Sequence, residues 1–165
     1  MENVYFVGFM GSGKTTVARL LADKLGKGFL EMDSEIEKSA GMSIVEIFEG
    51  KGQDYFRDLE SKLLADIAKR SDLVVSCGGG LVCRQENIDL LKKSGKLVNL
   101  SASADEIYKR VKNDNSRPLL KVADPQNEIV RLLKIRQEFY EQADITIDTD
   151  SKTPEDVLEE ILKVL

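Results

Sequence analysis

The sequence predicts an α/β fold, a five-stranded parallel sheet with helices on both faces, and three observations predict it. Short apolar runs alternate with helical patterns along the 165 residues, the signature of a parallel sheet wrapped by crossover helices. The first apolar run leads straight into Gly8-Phe9-Met10-Gly11-Ser12-Gly13-Lys14-Thr15, which fits the phosphate-binding pattern G-x-x-x-x-G-K-[ST]. The length suits one domain with a substantial core, and no repeat, low-complexity tract or linker divides it.

Taken in order, Val4-Tyr5-Phe6-Val7 reads as a buried strand, and a helix after the glycine run carries Val17, Leu20, Leu21 and Leu25 on one face. Strand, glycine loop and helix together are the context that confirms the motif. Gly26 and Gly28 bracket a turn into a short strand, Phe29-Leu30-Glu31. A helix from about Ser34 to Ala40 stops at Gly41, a second helical piece runs from Ser43 to Glu49, and a longer one from Gln53 to Arg70 turns Phe56, Leu59, Leu63, Leu64 and Ile67 inward. The third strand, Leu73 to Cys77, is broken by Gly78-Gly79-Gly80. A helix from about Gln85 to Lys93, a strand Leu97 to Leu100 and a helix Ala104 to Lys112 follow. Asn113 to Asp124 is a polar, proline-containing loop before a helix from about Pro125 to Tyr140. The last strand, Ile145-Thr146-Ile147, precedes a helix that Thr153 caps and Pro154 opens.

Composition narrows the function class. At 42% hydrophobic and 32% charged the chain reads as an ordinary soluble globular protein. A net charge of −5 without a basic block argues against a nucleic-acid partner. No 18-residue apolar stretch predicts a membrane span, and the opening strand leaves no room for a removable signal peptide before the glycine loop, so a cytoplasmic location is expected. Cys77 and Cys83 are too few for a disulfide framework, and no histidine completes a zinc set. They are expected to be small packing residues in a reducing compartment. Without histidine, proton chemistry must rest on carboxylates, lysines or water.

The glycine loop binds phosphate for a physical reason. Glycines let the backbone curl until successive N–H groups face phosphate oxygens, and the helix that starts near Lys14 adds the positive end of its dipole. Lys14 would reach the β- and γ-phosphates, and the Thr15 hydroxyl would ligate Mg²⁺.

Other candidates lie further along. Glu31 and Asp33 flank the C-terminal end of the second strand, where ligands bind in open parallel sheets. They would orient a hydroxyl nucleophile or hold Mg²⁺-bound water, or Asp33 would simply cap the next helix. Arg57 and Glu60, three apart on one helix, are surface neighbours, either a solvated pair or an arginine held ready for an anion. The triple glycine suits a ligand approaching the main chain, with a plain turn as the alternative. Arg117, in the long polar loop, would close over a transferring phosphoryl group if that loop is a lid. Arg136 lies four residues before Tyr140 on the same helix face, and is otherwise readable as surface charge.

Together these elements resemble the shikimate kinase family, within the nucleoside-monophosphate-kinase-like group of P-loop proteins. The resemblance covers nearly the whole chain. It rests on Gly8 to Thr15, Glu31-Met32-Asp33, Phe56-Arg57-Asp58-Leu59-Glu60, Gly78-Gly79-Gly80, Arg117-Pro118-Leu119-Leu120, and Arg136 through Tyr140 into Ala143-Asp144, in that order. The glycine loop is common to many kinases; the other elements in this order are far more specific.

The resemblance implies a three-layer α/β/α P-loop kinase domain over residues 1–165, with a short lid about 112–124 and an acceptor-binding helical region about 33–61. It implies ATP- and Mg²⁺-dependent phosphorylation of the 3-hydroxyl of shikimate, a step of aromatic amino-acid biosynthesis, by a protein expected to be monomeric. Gly11, Ser12, Gly13, Lys14, Thr15 and Thr16 would hold the nucleotide phosphates. Asp33 would hold the ring hydroxyls and orient the attacking one, and Arg57 and Arg136 would grip the carboxylate, with Glu60 steadying Arg57. Gly79, between Gly78 and Gly80, would offer its N–H to a hydroxyl. Arg117 would reach the ATP phosphates while Pro118 and Leu119 cover the acceptor, and Arg110 and the stretch around Thr153 and Pro154 would pack around adenine.

The family's triplet usually reads Asp-x-Asp, whereas this chain has Glu31 first. Asp33 is therefore the stronger catalytic candidate. With no aspartate ending the third strand, metal coordination is expected to rest on Thr15, ATP oxygens and waters, with Glu31, Asp33 or Ser76 acting through water. Gluconate or nucleoside monophosphate kinases are the near rivals. A GTP switch would need a guanine-reading Asn-Lys-x-Asp element, which the sequence lacks.

Overall fold

A computed structural model describes residues 2–165. Its centre is strand β1 (Asn3–Val7), buried at every position. Alternate side chains of β1 serve opposite faces, as the two-residue period of a strand requires. Tyr5 and Val7 join one apolar cluster, Val4 and Phe6 another. Around β1 stand β2 (Gly28–Glu31), β3 (Leu73–Ser76), β4 (Gly95–Ser101) and β5 (Ile145–Asp148), in the order β2-β3-β1-β4-β5, every pairing parallel. The five-stranded parallel sheet expected from the sequence is therefore present.

On one face α1 (Lys14–Leu25) and α8 (Pro154–Val164) cover Val4, Phe6, Val74, Val98 and Leu100. The other face is covered by α5 (Gln85–Ser94), α6 (Ala104–Val111), α7 (Pro125–Tyr140) and the C-terminal half of α4 (Gln53–Ile67). A third, smaller cluster ties α2 (Met32–Ala40), α3 (Ile44–Lys51) and the start of α4 through Ile36, Ile47 and Phe56. Thr153 caps α8 in a reciprocal capping box with Asp156, as expected, and Ser43 caps α3 in the same way with Glu46. Among the described residues no helix is long and apolar enough to cross a membrane.

Several boundaries differ from the sequence reading. Helix α1 buries Val17, Ala18, Leu21 and Ala22, while Leu25 is 40% exposed; the small alanines let the helix sit close to the sheet and turn its last leucine outward. Helix α2 begins at Met32, ahead of Ser34, and α4 ends at Ile67, short of Arg70. Strand β4 starts two residues early because Gly95 pairs with Asn3. Residues 113–124 contain one 3-10 turn, Pro118–Leu120.

The order of strands positions the site. The chain leaves β1 for β2, returns to β3 beside β1, and crosses to β4 on its other side. The crevice beyond the C-terminal end of β1 is thus the switch point where open parallel sheets take ligands, and the glycine loop fills it.

Candidate active site

The loop between β1 and α1 is shaped by glycine. Gly11 and Gly13 have φ of 75° and 86°, values that side-chain-bearing residues rarely adopt. Lys14 folds back over the loop and donates to the Gly8 and Phe9 carbonyls at 2.9 and 3.0 Å. Burial pushes its amine down to about 8, opposed by the neighbouring Asp33 carboxylate and reinforced by Arg117. Beside it opens a cavity of about 280 Å³ lined by Gly11, Gly13, Lys14, Thr15 and Thr16 and by the carboxylates Glu31 and Asp33. Ser12 is buried below, its Oγ without a partner.

The donors around Thr15 are all oxygens. Its hydroxyl donates to Glu31 Oε1 at 2.8 Å and lies 3.1 Å from Ser76 Oγ, while Ser34 donates to Glu31 Oε2 at 2.7 Å. A hard cation of the Mg²⁺ kind takes such ligands, few from protein and the rest from water and phosphate. Asp33 caps nothing: Glu31 is the N-cap of α2 and makes no side-chain cap bond. Instead Asp33 Oδ1 is buried without a hydrogen-bond partner. Burial raises its pKa, Lys14 opposing and Glu31 adding to the rise.

A second cavity, of about 350 Å³, adjoins the first and shares Asp33, Gly78, Gly79 and Arg117 with it. Arg57, Glu60 and Arg136 reach into it from α4 and α7. The pair Arg57–Glu60 is no solvated surface bridge. Arg57 Nη1 donates to Glu60 Oε2 at 2.6 Å with Glu60 1% exposed. Burial raises the Glu60 pKa, and Arg57 opposes it. Glu60 Oε1 is left unpartnered, as is Nη1 of Arg136, a residue 3% exposed. No carboxylate forms an ion pair with Arg136 among the described residues, and its guanidinium sits 5.4 Å from the centre of the Phe9 ring. Buried polar atoms without protein partners are rare in folded proteins, and three of them facing one cavity call for partners from outside the chain, water or ligand.

The triple glycine explains how these charges converge. A methyl group on Gly78 would stand 2.5 Å from Glu60 Oε1 and 3.1 Å from Asp33 Oδ1, one on Gly79 would stand 3.5 Å from Arg136 Nη1, and one on Gly80 would overlap the Arg57 guanidinium. Gly78 and Gly80 thus make room for charged side chains, while Gly79 packs closest against the backbone of Gly8 and Met10.

Ser116, Arg117, Pro118 and Leu119 line the second cavity opposite Ile44, Val45 and Phe48. Arg117 Nε donates to Asp114 Oδ2 at 3.1 Å. Arg110 bridges the glycine loop to the end of β5, donating to the Gly11 carbonyl at 2.9 Å and to Thr149 Oγ1 and O at 3.3 Å. Pro154 is exposed at the head of α8 and lines neither cavity. Cys77 is buried at the end of β3, where burial pushes its thiol up; it is a packing residue. Glu37, Ile44, Val45 and Phe48 line the second cavity within the acceptor-binding region expected at about 33–61, although the sequence singled out none of them by itself. Glu37 lies on α2 and the other three on α3, short helices whose apolar residues are indistinguishable in sequence from core.

A phosphate-binding loop at the switch point of a parallel sheet, joined to a second cavity lined by arginines and carboxylates, defines a P-loop kinase acting on a small acceptor. A family model described as shikimate kinase matches residues 10–165. The shikimate kinase of Sulfurihydrogenibium sp. is 48% identical over 162 residues, 98% of this chain and 96% of that protein. The solved shikimate kinase from Acinetobacter baumannii in complex with shikimate is 40% identical with a TM-score of 0.96, over 99% of this chain and 92% of that one. The Aquifex aeolicus shikimate kinase structure is also 40% identical, with a TM-score of 0.87 over 98% and 94%. The chain belongs to the shikimate kinase family.

Proposed function

We propose that the protein transfers the γ-phosphoryl group of ATP to the 3-hydroxyl of shikimate, giving shikimate 3-phosphate on the route to chorismate and the aromatic amino acids. Family membership supports an ATP-dependent kinase, and one observation carries the acceptor. Arg136 is a buried cation with an unpartnered Nη1, facing the same cavity as the Arg57–Glu60 pair. Two guanidinium groups at one end of a polar cavity call for a carboxylate.

In this reading the backbone of Gly11 to Gly13, with Ser12, Lys14 and Thr16, holds the phosphates, and Arg110 and Pro154 flank the base. Thr15 would ligate Mg²⁺, with Glu31 and Asp33 holding its waters; the all-oxygen set around Thr15 fits that ion. The metal, when bound, neutralises charge on the phosphate oxygens. Arg57 and Arg136 hold the acceptor's carboxylate, and Glu60 fixes Arg57. Asp33, whose Oδ1 is otherwise unpartnered, accepts a hydrogen bond from the attacking hydroxyl and aligns it. As the shikimate oxygen bonds to the γ-phosphorus and the bond to the β–γ bridging oxygen breaks, Asp33 takes the hydroxyl proton and ADP leaves. Lys14 and Arg117 stabilise the charge on the transferring group. The segment about 112–124 is the lid that excludes water, with Pro118 and Leu119 over the acceptor, and the helices of about 33–61 form the acceptor's wall. The protein acts as a monomer in this reading. An acidic protein with two free cysteines fits work on small molecules in the cytoplasm, without nucleic-acid or membrane partners.

An ADP-release assay with shikimate, gluconate and AMP offered separately tests this reading. Turnover with shikimate alone is expected; turnover with gluconate or AMP and none with shikimate would overturn it.

A further inference from the structure

The three glycines that bring the charges together are held in an uneven way. No protein acceptor takes the N–H of Gly78, Gly79 or Gly80 among the described residues, whereas all three carbonyls are engaged. Gly78 O accepts from Leu81 N at 3.2 Å and Gly80 O from Cys83 N at 3.1 Å, both inside the same turn. Only Gly79 O depends on another element: Tyr140, near the end of α7, donates its hydroxyl to it at 2.6 Å. Tyr140 is 7% exposed, and burial holds its pKa at about 12, so it remains a donor at any working pH.

The geometry points to Tyr140 as a positioning residue for acceptor binding, fixing the Gly79–Gly80 peptide, against which Arg57 packs and beside which Arg136 lies. One turn before Tyr140, Arg136 Nη1 lies 3.5 Å from where a Gly79 side chain would begin, and the Arg57 guanidinium lies against Gly80. A single hydroxyl therefore registers α7, and Arg136 with it, against the glycine turn that seats Arg57. Three successive glycines have more backbone freedom than any other tripeptide. Without that bond the middle peptide can rotate, and a buried carbonyl loses its partner. Because peptide C=O and N–H point in opposite directions, anchoring the Gly79 carbonyl also sets where the Gly80 N–H aims. Tyr140 lines neither cavity, so it acts through Gly79 and through the Arg136 guanidinium beside its hydroxyl, and not by touching substrate.

This inference rests on the acceptor reading above, and its test separates the two. Tyr140→Phe removes one oxygen atom and keeps the ring in its apolar surroundings. Leu132→Ala, a core truncation on the same helix away from the glycine turn, serves as the control for simple destabilisation. For Tyr140→Phe the KM for shikimate is expected to rise about tenfold, the order of one hydrogen bond to a buried group, with kcat and the ATP KM within about twofold. In the ligand-free protein, exchange of the Leu81 and Cys83 amides should quicken in Tyr140→Phe more than in Leu132→Ala at equal loss of Tm. An unchanged shikimate KM would overturn the proposal, as would a parallel shift of kcat and both KM values matching the control. Should wild type not phosphorylate shikimate, the acceptor reading fails, and the amide exchange alone decides whether Tyr140 holds the turn.

Discussion

The guanidinium of Arg57 lies against the α-carbon of Gly80 so closely that a single methyl group there would overlap it. Arg57 is also fastened to Glu60 at 2.6 Å, so moving away from Gly80 into the cavity it lines would strain or break that bond. Gly80→Ala is therefore expected to displace Arg57 at the usual overpacking cost of about 1–3 kcal/mol, roughly five- to hundredfold in shikimate KM. The ATP KM should stay near wild type, because the phosphate loop does not depend on Gly80. Steady-state kinetics with each substrate varied in turn checks this; an equal loss for both would mean that the whole sheet end had shifted.

Asp33→Asn keeps the shape of the side chain and removes its ability to take a proton. Turnover should fall at least about a hundredfold, the scale of general-base catalysis, with ATP binding nearly intact by calorimetry. Near-normal turnover would remove Asp33 from the chemistry.

The same residue gives the pH profile its acid side. Burial raises the Asp33 pKa in the folded protein, and the ionised form is the active one, so kcat/KM should fall as pH drops through a value above the ordinary 3.8. Lys14 must be charged to hold phosphate, and burial lowers it to about 8, so kcat/KM for ATP should fall again as pH rises past about 8. Bound phosphates favour the charged amine, so the alkaline limb of kcat should lie higher than that of kcat/KM. A flat kcat/KM profile from pH 7 to 10 would contradict the placement of Lys14.

Most of the architecture was legible in the sequence because its signals are local. The alternation of apolar runs and helices specifies the parallel sheet, and the glycine pattern specifies its switch point. The misplacement of Leu25 shows the limit. Periodicity assigns a face, but which end of that face reaches the sheet depends on how closely Ala18 and Ala22 let the helix approach. The site was legible as a list of residues and not as an arrangement. Asp33 read equally well as a cap, and Arg57–Glu60 as a surface pair, because local spacing carries no burial. What decides both is non-local: Gly78 and Gly80, some twenty residues beyond the Arg57–Glu60 pair and more than forty beyond Asp33, open the space those side chains occupy. Tyr140 read only as a neighbour of Arg136, since its partner is a backbone carbonyl 61 residues away.

Glu31 offers a sharper test of the metal assignment. Its carboxylate spans the Thr15 and Ser34 hydroxyls at 2.8 and 2.7 Å, one oxygen to each. In Glu31→Asp the shorter side chain cannot meet both, so Mn²⁺ binding to the ADP complex, followed by its paramagnetic resonance signal, should weaken by about tenfold, the lower end for loss of a residue supporting a metal site. ADP binding without metal should not change. Unaltered Mn²⁺ affinity would place Glu31 outside the metal's surroundings.

Truncating either arginine should separate the two substrates. In Arg57→Ala or Arg136→Ala the loss of a buried charged contact is worth about 2–5 kcal/mol, expected in the shikimate KM with little change for ATP.

The central claim, that Arg57 and Arg136 hold the acceptor's carboxylate while Asp33 faces its reacting hydroxyl, is tested most directly by a crystal structure with ADP, Mg²⁺ and shikimate bound. The carboxylate should lie within hydrogen-bond distance of both guanidinium groups, with the 3-hydroxyl on Asp33 and directed at the phosphate loop. A carboxylate bound elsewhere, with Arg136 Nη1 still unpartnered, would contradict the account.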